Sequence, residues 1–154
     1  MKGNEKVLDA LQHALSEELT AINQYFIHAE LCEAWGYPKL HNEIKMNSIG
    51  EMKHAEQIMA RILFLEGTPN MTEYMKINVG QNVQDIIKND LALEHMAVKT
   101  YNEYIRIASD ANDNGSRDLF LTLLKDEELH VDYLEAQTTL IEQVGIQNYL
   151  LTKV

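Results

Sequence analysis

Apolar residues recur along most of this chain at three- and four-residue steps, the spacing of amphipathic helices rather than strands. In the first stretch, from about Glu5 to Trp35, Leu11, Leu15, Glu18, Ile22 and Tyr25 fall on one stripe. Gly36-Tyr37-Pro38 breaks it, and Pro38 suits the first turn of a second helix. That helix runs to about Glu66, with Gly67 placed as its C-terminal cap and Pro69 just beyond. A third helix is predicted from Asn82, a good N-cap with Asp85 in the first turn, to about Ala111. Asn112-Asp113-Asn114-Gly115 reads as a tight turn, and Ser116 as the cap of a fourth helix ending near Gly145. Ile146 to Leu151 could form a short fifth helix.

Loop lengths give the topology. The breaks after the first and third helices are short, so each pair folds back antiparallel. Gly67 to Gln81 is much longer, about fifteen residues. A 30-residue helix is roughly 45 Å long, and fifteen extended residues span at most about 50 Å. That is enough for one crossover along the whole bundle, so the second and third helices can be parallel. The expected fold class is all-α: a ferritin-like four-helix bundle with a long crossover between helices 2 and 3 and a short C-terminal fifth helix. At 154 residues, one domain spanning residues 1–154 is expected.

The apolar stripes carry acids. Glu18 lies between Leu15 and Ile22, Glu94 between Leu91 and Val98, Glu127 between Leu124 and Val131, and Glu51 between Ile44 and Ile58. These acids repeat with two histidines. Glu18 is followed after 33 residues by Glu51 and then His54, and Glu94 after 33 residues by Glu127 and then His130. The offset between the halves is 76 residues throughout. A lone Glu from each of two helices plus Glu-x-x-His from each of two others is the ligand pattern of dinuclear carboxylate sites in bundles. A buried, unpaired carboxylate costs several kcal/mol, about as expected for an isolated ion. Two divalent cations would balance four carboxylates, and two neutral imidazoles would complete the set. The three-residue step puts Glu and His on one helix face. Mixed oxygen and nitrogen ligation suits iron or manganese, with zinc able to intrude. One Glu-x-x-His alone would be an ordinary surface pair; the duplicated set is what points to a site.

Four neighbours are less determined. Asp90 and Asp126 could each accept the second N–H of a ligand histidine, or be solvated. Tyr25 and Tyr101 each follow a lone Glu by seven residues, placed either to hydrogen-bond a ligand carboxylate or to pack in the core. His13, His28, His41 and His95 match no pattern and are read as non-ligands.

The net charge of −11 argues against nucleic-acid binding and is compatible with attracting cations. Cys32 is the only cysteine, which excludes an intrachain disulfide and fits a reducing compartment. No apolar run approaches the roughly 18 residues of a membrane span. The N-terminus has no signal-peptide core, so a cytoplasmic location is expected.

Several blocks resemble the bacterioferritins: Glu17-Glu18-Leu19-Thr20-Ala21-Ile22-Asn23-Gln24-Tyr25-Phe26, Glu51-Met52-Lys53-His54-Ala55, Arg61-Ile62-Leu63-Phe64-Leu65-Glu66-Gly67, Asp90-Leu91-Ala92-Leu93-Glu94, Ser116-Arg117-Asp118, Asp126-Glu127-Glu128 with His130, and Gln147-Asn148-Tyr149-Leu150. The resemblance spans essentially the whole chain. It implies a 24-subunit cage built of two-fold dimers that oxidises ferrous iron with dioxygen or peroxide and stores ferric mineral. It implies a catalytic di-iron centre within each subunit at Glu18, Glu51, His54, Glu94, Glu127 and His130, with Glu51 and Glu127 bridging. It further implies haem b, one per subunit pair, ligated by Met52 from each subunit, and a ferredoxin-type reductant for iron release. Met52 follows Glu51 and so turns about 100° away from the bundle core, where a two-fold partner could meet it. Three positions depart from the family. Met46 and Gly50 stand where many members carry an inner-surface His and Asp, and Lys45 replaces a Tyr that often flanks the haem.

Two other readings fit the same ligands. One is a di-iron or di-manganese enzyme acting on peroxide or an organic substrate, which would form a dimer without mineral. The other is a haem-carrying or structural cage subunit whose di-metal site binds iron without turnover.

Overall fold

The computed structural model describes all 154 residues as five helices and no strand. They are α1 (Glu5–Ala34), α2 (Pro38–Phe64), α3 (Val83–Asp110), α4 (Asn114–Val144) and α5 (Ile146–Leu151). Helix starts follow local chemistry. Asn4 Oδ1 accepts the Lys6 and Val7 N–H groups, Asn82 accepts that of Asp85, and Pro38 opens α2, where no donor is needed.

Side-chain contacts fix the directions. Ser48 Oγ donates to the Ile22 carbonyl (2.8 Å) and His41 Nδ1 to that of Ala29 (2.8 Å), so α2 descends as α1 ascends. Tyr101 reaches Glu18 while Tyr25 reaches Glu94, so α3 also runs against α1. α2 and α3 are therefore parallel, as the long crossover requires. The expected four-helix bundle with a fifth C-terminal helix is the observed fold.

Two predicted ends are corrected. Helix α4 starts earlier than a Ser116 cap would allow. Its N-cap is Asp113, whose carboxylate accepts the Ser116 N–H (2.9 Å) and the Arg61 guanidinium (2.7 Å). The link from α3 is correspondingly tight and turns through Asn112 at φ 56°. At the end of α2 the left-handed residue is Glu66 (φ 63°), and Gly67 does not supply that conformation. Gly67 is needed for space, because a Cβ there would come within 2.8 Å of Leu8 and 2.9 Å of Ile62.

The crossover hangs from α1. Gln12, Thr20, Gln24 and His28 lie on one i, i+4 row. They accept the backbone N–H groups of Asn70 (2.8 Å), Met75 (2.9 Å), Asn78 (3.1 Å) and Gly80 (3.0 Å) respectively. This polar row gives the non-helical segment partners for groups that would otherwise be buried unpaired. At Gly80 the chain passes so close to α3 that a Cβ would lie 2.5 Å from the Ile86 nitrogen.

Two apolar clusters sit at either end of the bundle. One includes Leu11, Leu15, Ile58, Tyr101 and Phe120; the other includes Tyr25, Ile44, Ile86, Leu134 and Tyr149. Each fully buried Leu or Ile stabilises the fold by roughly 1.5–3 kcal/mol. Their rigidity holds the polar residues between them. No helix is long and apolar enough to cross a membrane.

Candidate metal centre

All six residues singled out by spacing converge between the two apolar clusters. Glu18, Glu51, Glu94 and Glu127 are 1–2% exposed, which places four carboxylates in one dry volume. They form two overlapping groups. Glu18, Glu51, His54 and Glu127 bring one ligand atom each within 4.8 Å of one another, as do Glu51, Glu94, Glu127 and His130. Glu51 and Glu127 belong to both.

Atomic distances show how the sharing works. His54 Nδ1 faces Glu51 Oε2 (3.1 Å), Glu127 Oε1 (3.2 Å) and Glu18 Oε1 (3.6 Å). His130 Nδ1 faces the other oxygens of the same two acids, Glu51 Oε1 (3.0 Å) and Glu127 Oε2 (3.2 Å), together with Glu94 Oε1 (3.3 Å). Each shared carboxylate thus turns one oxygen toward each half of the site, the disposition of a bridging ligand. Glu18 and Glu94 each serve one half, the disposition of terminal ligands.

The electrostatics call for cations. Burial, followed by repulsion from Glu51, holds the Glu18 carboxyl well above the usual range. Burial and the neighbouring Glu127 push Glu94 up to about 8. Burial alone would lower the histidines, but their contacts with the acids dominate. They raise His130 to about 12 and leave His54 strongly raised. Glu18 Oε2 and Glu51 Oε1 are buried with no aligned donor. Orphaned buried oxygens are costly, and divalent cations would satisfy both. Hard carboxylate oxygens with two imidazole nitrogens fit iron or manganese.

The surrounding residues sort themselves. Asp126 Oδ2 accepts the N–H of His54 Nε2 (3.0 Å), which leaves Nδ1 for a metal. Asp90 has a different role from the one considered from sequence. Its Oδ1 accepts from His28 Nδ1 (2.8 Å) and Gln24 Nε2 (2.9 Å), in the network that anchors the crossover, and it touches no site histidine. Tyr25 donates to Glu94 and Tyr101 to Glu18. Sequence reasoning passed over Glu17, now at the edge of the site with its carboxyl pushed up to about 8 by burial. It also passed over His28. The signal for His28 was present in the row Gln12, Ser16, Thr20, Gln24, His28, polar residues at successive four-residue steps.

Elsewhere, Met52 is 54% exposed and points off the bundle, as does Phe26 at 54%. The register of α1 against α2, with Ser48 at Ile22 and His41 at Ala29, puts Met52 level with Glu18 and Lys45 level with Tyr25. Met46 is 63% exposed, and a Cβ at Gly50 would meet nothing within 4 Å, so neither position offers an oxygen or nitrogen ligand.

The family model described as a ferritin-like domain matches residues 8–144. A bacterioferritin of Rhodobacter capsulatus is 43% identical over 151 residues, covering 98% of this chain and 94% of that protein. A bacterioferritin of Brucella melitensis is 41% identical over 149 residues, covering 97% and 92%. A bacterial ferritin of Synechocystis is 40% identical over 151 residues, covering 97% of each. With similarity of this depth along both chains' length, on the bundle and acid arrangement described above, the chain belongs to the bacterioferritin family of ferritin-like proteins.

Proposed function

We propose that this protein is a ferroxidase that stores iron, with Fe(II) as substrate at Glu18, Glu51, His54, Glu94, Glu127 and His130. The observation that carries the proposal is the sharing of Glu51 and Glu127, each with one oxygen in either ligand group. Two ferrous ions held side by side supply two electrons to one molecule of dioxygen or peroxide. The chain's own residues do the positioning. Glu51 and Glu127 keep the two ions adjacent, Tyr25 and Tyr101 fix the terminal carboxylates, and Asp126 keeps His54 Nδ1 turned inward. The net charge of −11 favours the approach of cations.

The finer parts of the proposal rest on family membership. They are a 24-subunit cytoplasmic cage in which each chain is one domain of residues 1–154, haem b held between two-fold partners by Met52, and a ferredoxin-type reductant. The bound haem would supply an electron path for iron release. Without side-chain ligands at positions 46 and 50, that path would lack a fixed inner-surface iron.

Glu127→Ala tests the proposal. Fast Fe(II) oxidation should be lost while the assembly, sized by light scattering, is retained. Undiminished oxidation in this variant would overturn it. Iron binding without oxidation in the unaltered protein would instead support the structural-subunit reading.

A further inference from the structure

A cleft opens onto the site from the side formed by α1, α3 and the crossover. Its floor is Glu18, Glu51, Glu94 and Glu127. Neither histidine lines it; His130 is 21% exposed elsewhere. The cleft walls are apolar, Ala21, Ala97 and Met75 among them, with one ionisable exception, Glu17.

Glu17 is unusual for an acid in such a place. The Thr100 hydroxyl donates to its Oε2 (3.0 Å). Its acidic neighbours include Glu18 and Glu103. These three acids step inward. Glu103 is exposed, Glu17 is partly buried, and Glu18 is buried with Oε2 lacking any donor. A divalent ion crossing apolar walls loses water and needs replacement oxygens as it goes. Glu17 is the only wall residue able to supply a carboxylate.

We propose that Glu17 is the ligand that first receives divalent cations entering by this cleft, passing them to the free Oε2 of Glu18. This rests on the dinuclear reading above and adds a residue to it. The expulsion of water at the walls and its replacement by Glu17 make loading fast without adding to the final stoichiometry.

The test uses Co(II) alone, mixed rapidly with the metal-free assembled protein and followed by its visible absorption. Two variants are compared with the unaltered chain. Glu17→Gln keeps the size of the side chain and an oxygen for Thr100, and Ala97→Phe obstructs the wall. Both should still bind two Co(II) per chain at equilibrium, but load at least about tenfold more slowly, the lower end of what a charged cleft adds to an on-rate. Unaltered rates in both variants would overturn the route. Slow loading in Ala97→Phe alone would overturn the role of Glu17. A lower final stoichiometry in Glu17→Gln at an unaltered rate would make Glu17 a resident ligand and overturn the proposal. If the unaltered chain itself fails to take up two Co(II), the dinuclear reading fails, whatever Glu17 does.

Discussion

The Tyr25 hydroxyl donates to the Glu94 carboxylate across the α1–α3 interface, and Tyr101 on α3 returns the same bond to Glu18 on α1. Each tyrosine lies seven residues after the lone Glu of its own helix yet serves that of the other. Antiparallel pairing produces the exchange, because two turns up one helix meet two turns down its neighbour. Both rings are fully buried, so each hydroxyl needs an acceptor and each ligand acid gains a fixed orientation. Tyr25→Phe should weaken metal binding in the half served by Glu94, and Tyr101→Phe in the half served by Glu18. A hydrogen bond to a charged group contributes about 1.5–3 kcal/mol, so the loss should be roughly tenfold or more. Co(II) titration would read it, and the bundle should remain folded by circular dichroism.

The shared and terminal carboxylates should behave differently when removed. Glu18→Ala deletes a ligand from one group only and should leave one ion bound per chain. Glu51→Ala deletes a ligand from both groups and should weaken both ions together. Calorimetric stoichiometry separates the two results. Equal behaviour of the two variants would contradict the bridging geometry.

The pH dependence follows from the metal-free site. Glu94, raised to about 8 by burial and Glu127, keeps a proton in the fold that the unfolded chain loses near its ordinary 4.5. Metal-free stability should therefore fall as pH rises through that window. His130, raised to about 12 because its acid contacts outweigh burial, contributes stability that is full below 6.5 and declines as pH rises above it, the same sign. Metal binding must displace these protons, so it should release acid and tighten as pH rises. Thermal melts across about pH 6 to 8, with and without Zn(II), should show the metal-free protein losing stability and the metal-induced gain growing. Metal-free stability that rises with pH would contradict this electrostatic picture.

His28 should matter to the crossover rather than to metal. Its Nε2 accepts the Gly80 N–H, so its proton sits on Nδ1 and goes to Asp90. His28→Ala leaves Asp90 with one fewer donor and the Gly80 N–H without an acceptor. A cost of about 1–3 kcal/mol is expected for such orphaned buried groups. Hydrogen exchange at Gly80 and Asn78 should accelerate while Co(II) stoichiometry stays at two per chain, the number expected for this ligand set.

The bundle was legible because helical period, two well-placed prolines and one long gap leave few topologies. The six acids and histidines were legible because a duplicated interval places like residues at like heights on antiparallel helices. Asp126 and Asp90 could not be told apart in the chain. Both lie near ligands in sequence, and only the rotation of α3 turns Asp90 toward His28 while α4 turns Asp126 toward His54. The start of α4 was misjudged because Ser116 and Asp113 are both good caps, and Arg61, 52 residues away, favours Asp113. Glu17 gave no signal, since adjacent glutamates on a helix usually alternate between core and solvent. Its burial depends on Thr100, 83 residues further on.

Titration of Fe(II) into the metal-free assembled protein, followed by oxygen and a reading of ferric absorbance per chain, tests the central claim most directly. The account predicts a fast phase that saturates at about two irons per chain, the capacity of this ligand set, before slower mineral growth. Slow oxidation with no break near that ratio would mean that the six converging residues do not form a ferroxidase centre.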